Sequence, residues 1–140
     1  MDRLIVASVC LVFLTTALPG ASAGMTMDQV KNAMKMLRNV CQGKAKVSSE
    51  LVDGIQEGQF PEERTLKCYM KCVMGMMQSM KGGKLKTEAA ISQIKMVLPD
   101  EIKDRVIATM EACKNSADGL TDACEVAYAA TKCVYEADPE

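Results

Sequence analysis

The stretch EERTLKCYMKCVMGMMQSM, residues 62–80, decides the fold. Leu66, Cys68, Tyr69, Met70, Cys72, Val73, Met74, Met76, Met77 and Met80 are apolar on nearly every side of a helix, and only Arg64, Lys67, Lys71 and Gln78 form a narrow polar stripe. A helix that is apolar all round has to be surrounded by others. The segment therefore reads as a central helix from about Glu62 to Met80, ended by Gly82-Gly83. Cys68 and Cys72 stand at i and i+4 of it, too far apart for the Cβ spacing of ~3.8 Å that a disulfide prefers. Each must tie the helix to a different distant element.

Outward from this helix, the chain shows further helical periods. Thr26-Met27-Asp28-Gln29 is a capping box, and Met27, Val30, Met34, Leu37 and Cys41 recur at helical spacing, which predicts a first helix over 27–41 ended by Gly43. Ser48 or Ser49 caps a short second helix through Leu51, Val52 and Ile55, stopped by Gly58 before Phe60-Pro61. A fourth helix starts at the cap Thr87 and carries Ala90, Ile91, Ile94 and Val97 on one face. A fifth starts at Pro99-Asp100 with Ile102, Val106, Met110 and Cys113, and a sixth is capped by Thr121 and presents Cys124, Ala127, Tyr128, Thr131 and Tyr135. No stretch keeps the period-two alternation of a half-buried strand. The expected class is all-α, a compact six-helix, disulfide-stapled domain.

Composition removes several classes of function. With 17 basic against 18 acidic residues, three tyrosines, two phenylalanines and no tryptophan, the chain has no electrostatic footprint for nucleic acid. The absence of histidine excludes Ser-His and Cys-His nucleophile pairs, imidazole acid-base chemistry and His-containing zinc sites. Asp100-Glu101 and Asp104 fall at a helix start, where capping and the dipole account for them. The chain is expected not to be an enzyme and to need no cofactor or metal.

Arg3 leads into an apolar run from Leu4 to Leu18, broken by Pro19-Gly20 and followed by Ala21-Ser22-Ala23. The run is shorter than the roughly 20 residues of a membrane span, and its small-residue end favours cleavage, so residues 1–23 read as a secretory signal peptide and 24–140 as the helical domain. Cleavage removes Cys10 and leaves six cysteines, Cys41, Cys68, Cys72, Cys113, Cys124 and Cys133, in a chain bound for an oxidising compartment. Six cysteines allow fifteen pairings. Striking Cys68 with Cys72 removes three and leaves twelve open.

The gaps between these cysteines are 26, 3, 40, 10 and 8 residues, around a Cys68-Tyr69-Met70-Lys71-Cys72 core preceded by Gly58-Gln59-Phe60-Pro61. In these features the chain resembles the insect odorant-binding and pheromone-binding protein family, along the whole of residues 24–140. The resemblance implies a six-helix carrier of small hydrophobic ligands, secreted into the fluid around chemosensory neurons. It also implies the pairing Cys41 with Cys72, Cys68 with Cys124 and Cys113 with Cys133, a chemosensory receptor as a further partner, no stable membrane insertion, and a monomer or weak homodimer. A saposin-like lipid-binding or membrane-active protein is the rival reading, sharing helices and six cysteines. Net charge −1 gives it little attraction to anionic lipid.

Methionine is flexible and polarizable and can repack around guests of different shape, and five of the chain's twelve lie in residues 62–80. Met70, Met74 and Met77 form one stripe at i, i+4 and i+7, expected to face an apolar pocket. Leu37, Ile91, Ile94, Val97, Val106 and Met110 are the expected opposite wall, and Leu85, Val134 and Tyr135 the rim. The available hydroxyls are Ser79, Tyr128, Thr131 and Tyr135, of which Ser79 and Tyr135 adjoin the stripe and the tail. Leu51, Ile55 and Phe60 are expected to be plain core. The seven residues after Cys133 are too few for a further helix that could refill the cavity. Release through histidine protonation is excluded, which leaves a carboxylate route through Glu136, Asp138 or Glu140.

Overall fold

The computed structural model describes residues 24–139; the signal-peptide reading of residues 1–23 lies outside them. Six α-helices follow in order: α1 Met27–Ala45, α2 Ser49–Gly54, α3 Arg64–Met76, α4 Thr87–Val97, α5 Asp100–Ala112 and α6 Ala123–Ala137. A 3-10 turn, Ile55–Glu57, extends α2. Between α3 and α4 lies an element that the helical periods do not announce, a two-residue antiparallel ribbon of β1 Met80–Lys81 and β2 Lys84–Leu85. Gly82 and Gly83, both at positive φ, make the two-residue turn that such a ribbon requires.

The local chemistry of the ends explains where sequence and structure part. Thr26 accepts from the Gln29 N–H while the Gln29 side chain accepts from the Thr26 N–H, a complete capping box. Gly43 does not end α1, which runs on until Lys46 turns left-handed at φ 54. Helix α3 begins at Arg64 and stops at Met76, short of the expected Met80, because Gln78 adopts φ 57 and closes a Schellman motif. In it the Ser79 N–H donates to the Met74 carbonyl and the Gln78 N–H to that of Gly75. A glutamine at this position gives no sequence signal for the stop. Thr87 is the first residue of α4, and Lys86 holds the cap position without a side-chain bond. Asp122, rather than Thr121, caps α6, accepting from the N–H groups of Cys124 and Glu125.

Helix α3 packs against both α1 and α6. The buried core joins Cys41 and Val47, Val52 of α2, Leu66, Tyr69 and Met70 of α3, Met80, and Val126, Ala127 and Tyr128 of α6. Leu51, Ile55 and Phe60 pack against it, as plain core residues should. The disulfides are Cys41–Cys72, Cys68–Cys124 and Cys113–Cys133, the pairing that the family resemblance implies, and they fasten α1 to α3, α3 to α6 and the end of α5 to α6.

Candidate ligand-binding site

The arrangement of α4 and α5 sets the site. The two helices pack on each other and α5 on α6, whereas neither makes more than isolated backbone approaches to α1 or α3. Helices α1, α3 and α6 thus form one packed layer, and the α4–α5 hairpin joins it through α6 rather than through α1 or α3. The hairpin is held at its far end by Cys113–Cys133 and midway along α5 by Arg105, whose Nε lies 3.0 Å from an Asp138 carboxylate oxygen in the tail. At the other end the Met25 N–H donates to the Val97 carbonyl at 2.7 Å.

The expected pocket residues fall into distinct environments. Met70 is buried in the core, and Met74 packs against it half-buried, with Thr131 Oγ1 at 3.9 Å from its sulfur. Met77 lies just past the end of α3 and is 42% exposed, so the stripe of three is shortened to two within the helix. Ile91 is buried on α4, where Ile94 and Val97 are half-buried. Leu37 on α1 and Val106 and Met110 on α5 are half-buried as well. None of these six belongs to the buried core cluster. Leu85 packs against the core and also lines an outer cleft with Val126. Val134 is exposed, while the Tyr135 ring is half-buried, 5.5 Å from that of Phe60. Of the acidic tail residues, Asp138 is engaged by Arg105, Glu136 is exposed and Glu140 lies outside the described residues.

Three of the four candidate hydroxyls are already committed. Ser79 donates to the Met74 carbonyl, Thr131 to that of Ala127 and Tyr128 to that of Phe60. Among the described residues the Tyr135 hydroxyl has no such bond, and no buried side-chain nitrogen or oxygen is left unpaired.

Amphipathic reasoning misplaces Lys67, which the polar stripe assigns to solvent. Its side chain is 8% exposed, bound to Glu62 and, at 3.0 Å, to Glu125, with the ammonium 4.8 Å from the Tyr128 ring centroid. Beside it Arg64 grips Asp122 through two bonds of 2.8 and 2.9 Å. Hydrogen bonding to Lys67 holds Glu62 below the usual carboxylate range, and Arg64 does the same, more strongly, for Asp122. These contacts lock the first turns of α3 and α6 together around Cys68–Cys124. The signal that could have found them is the excess of carboxylates, Glu62, Glu63, Asp122 and Glu125, flanking the two helix starts.

Residues 23–137 match the model of the PBP/GOBP family. The chain belongs to that family. It is 36% identical over 116 residues to general odorant-binding protein 72 of Anopheles gambiae, covering 83% of this chain and 96% of the relative. It is 36% identical over 129 residues to general odorant-binding protein 19a of Drosophila melanogaster, covering 90% and 88%. The solved structure of Apis mellifera odorant binding protein 5 superposes with a TM-score of 0.78 at 30% identity, over 84% of this chain and 96% of that one. Odorant-binding proteins of this family are secreted, soluble carriers and not known enzymes. No helix among the described residues is long and apolar enough to cross a membrane.

Proposed function

We propose that this PBP/GOBP protein encloses a small hydrophobic molecule between the α1–α3 wall and the α4–α5 hairpin and carries it through extracellular fluid. The observation that carries this reading is that α4 and α5 stay out of the core cluster: of their candidate residues Ile91 is buried and Ile94, Val97, Val106 and Met110 are half-buried, while the core closes without any of them. An apolar chamber of about 300 Å³, the lower end for small-molecule sites, forfeits about 7 kcal/mol of packing at ~24 cal/mol per Å³. Three disulfides at about 2–4 kcal/mol each are of the size needed to offset it. Met70, Met74, Leu37, Ile91, Ile94, Val97, Val106 and Met110 would line the chamber. Val134 and Tyr135 would border its mouth, and Tyr135 supplies the one uncommitted hydroxyl. Residues 1–23 serve as the leader, the carrier acts as a monomer or weak homodimer, and a chemosensory receptor takes delivery.

Displacement of the fluorescent probe N-phenyl-1-naphthylamine tests the site. Met74→Trp should abolish probe binding, while Met36→Trp, at a side chain 70% exposed, should leave it unchanged. Equal probe affinity in Met74→Trp and the parent protein would remove α3 from the pocket.

A further inference from the structure

Outside the proposed chamber, a cleft of about 260 Å³ opens between the β-ribbon and the α5–α6 connection. Its apolar surface comes from Leu85, Leu120 and Val126, and its charged groups are Lys84, Lys114 and Asp118. Leu85 is the only residue it shares with the set expected to line or rim the inner chamber. The ribbon beside it is electrostatically frustrated. Its register sets Lys81 directly opposite Lys84, with Lys86 following, and like charges in that position oppose pairing. Among the described residues no carboxylate pairs with any of these three lysines. Lys114 has only an exposed partner, Glu111 at 3.5 Å, a contact that solvent weakens. Two ammonium groups against one carboxylate, over an apolar floor, make a surface complementary to an anion with a greasy tail.

We propose that this cleft is a second binding site, taking a short-chain aliphatic carboxylate, with its head group between Lys84 and Lys114 and its first carbons against Leu85, Leu120 and Val126. The open form and small volume leave the rest of the chain in solvent, so binding is weak and selective for the charged head. An uncharged alcohol of the same length lacks the group that the lysines recognise.

The test is an amide-resolved NMR titration of the disulfide-bonded protein with octanoate and, separately, with octan-1-ol. Octanoate should move the amides of Lys84, Leu85, Ala117 and Gly119, and octan-1-ol should not. The Lys84→Glu/Lys114→Glu variant sets an acid opposite Lys81, which favours the ribbon. It should weaken octanoate at those amides by about tenfold, while N-phenyl-1-naphthylamine affinity, read at the inner chamber, changes by less than about twofold. Equal shifts with octan-1-ol, octanoate shifts confined to the surroundings of Met70, Ile91 and Met110, or undiminished octanoate binding in the variant would each overturn the proposal.

Discussion

At Gly58 the backbone takes φ +74, and the Tyr135 ring lies against the α-carbon so closely that an added Cβ would stand 2.8 Å from its Cε1. Phe60 packs against the same ring, with the two ring centroids 5.5 Å apart. The last turn of α6 is therefore seated on the loop before α3. Gly58→Ala should cost about 1–3 kcal/mol through left-handed strain alone, more if Tyr135 is displaced, and should appear as a lower midpoint in urea. A loss no larger than that strain would show that Tyr135 moves aside freely, and an unchanged midpoint would contradict the strain itself. Tyr135→Phe preserves the seat and removes the free hydroxyl. It should weaken binding of a primary alcohol by roughly 2–10-fold, the worth of one hydrogen bond, and leave an alkane unaffected. Gly58 was legible as a stop signal in the sequence, but its partner was not, since Tyr135 lies far along the chain and no local pattern couples them. Lys67 was misread for the same reason: one-helix periodicity assigns a lysine to water, whereas Glu125 reaches it from α6.

Among the elements, α4 and α5 depend most on their attachments, because they contribute nothing to the buried core cluster. Cys113–Cys133 closes a loop with a sequence separation of 20. Replacing both cysteines by serine should cost about 2–4 kcal/mol and raise hydrogen exchange across α5 while α3 and α6 stay protected. Probe affinity should fall with it, since one wall of the chamber is then loose. Uniform exchange across all helices would mean that the α4–α5 hairpin is not a separable wall. Helix existence was readable from caps and periods for all six helices. The ribbon and the early end of α3 were not, because two-residue strands carry no alternation and Gln78 takes the left-handed role usually filled by glycine.

For the whole molecule, charge sets the response to pH. Glu62 and Asp122 are held below their ordinary values in the folded state by Lys67 and Arg64. Their contribution is complete above the ordinary carboxylate range, near pH 4, and is lost as pH falls through the lowered values. The melting temperature should therefore be level from pH 7 to pH 5 and decline below about 4. With no histidine in the chain, Glu136 exposed and Asp138 held by Arg105, ligand affinity should be equal at pH 7 and pH 5, and a release step between them would point to the tail carboxylates. The cysteine gaps and the Cys68–Cys72 helix made the fold and the family legible. The pocket was legible only as candidate faces, since which half-buried side chains meet across a gap is a property of the packed helices.

The methionines themselves report on the central claim. In protein labelled with 13C at the methionine methyls, one equivalent of decan-1-ol should shift Met70, Met74 and Met110 and leave Met36 and Met96, both 70% exposed, in place. Shifts confined to Met36 and Met96, or no change at any methyl, would contradict a chamber between α3 and the α4–α5 hairpin.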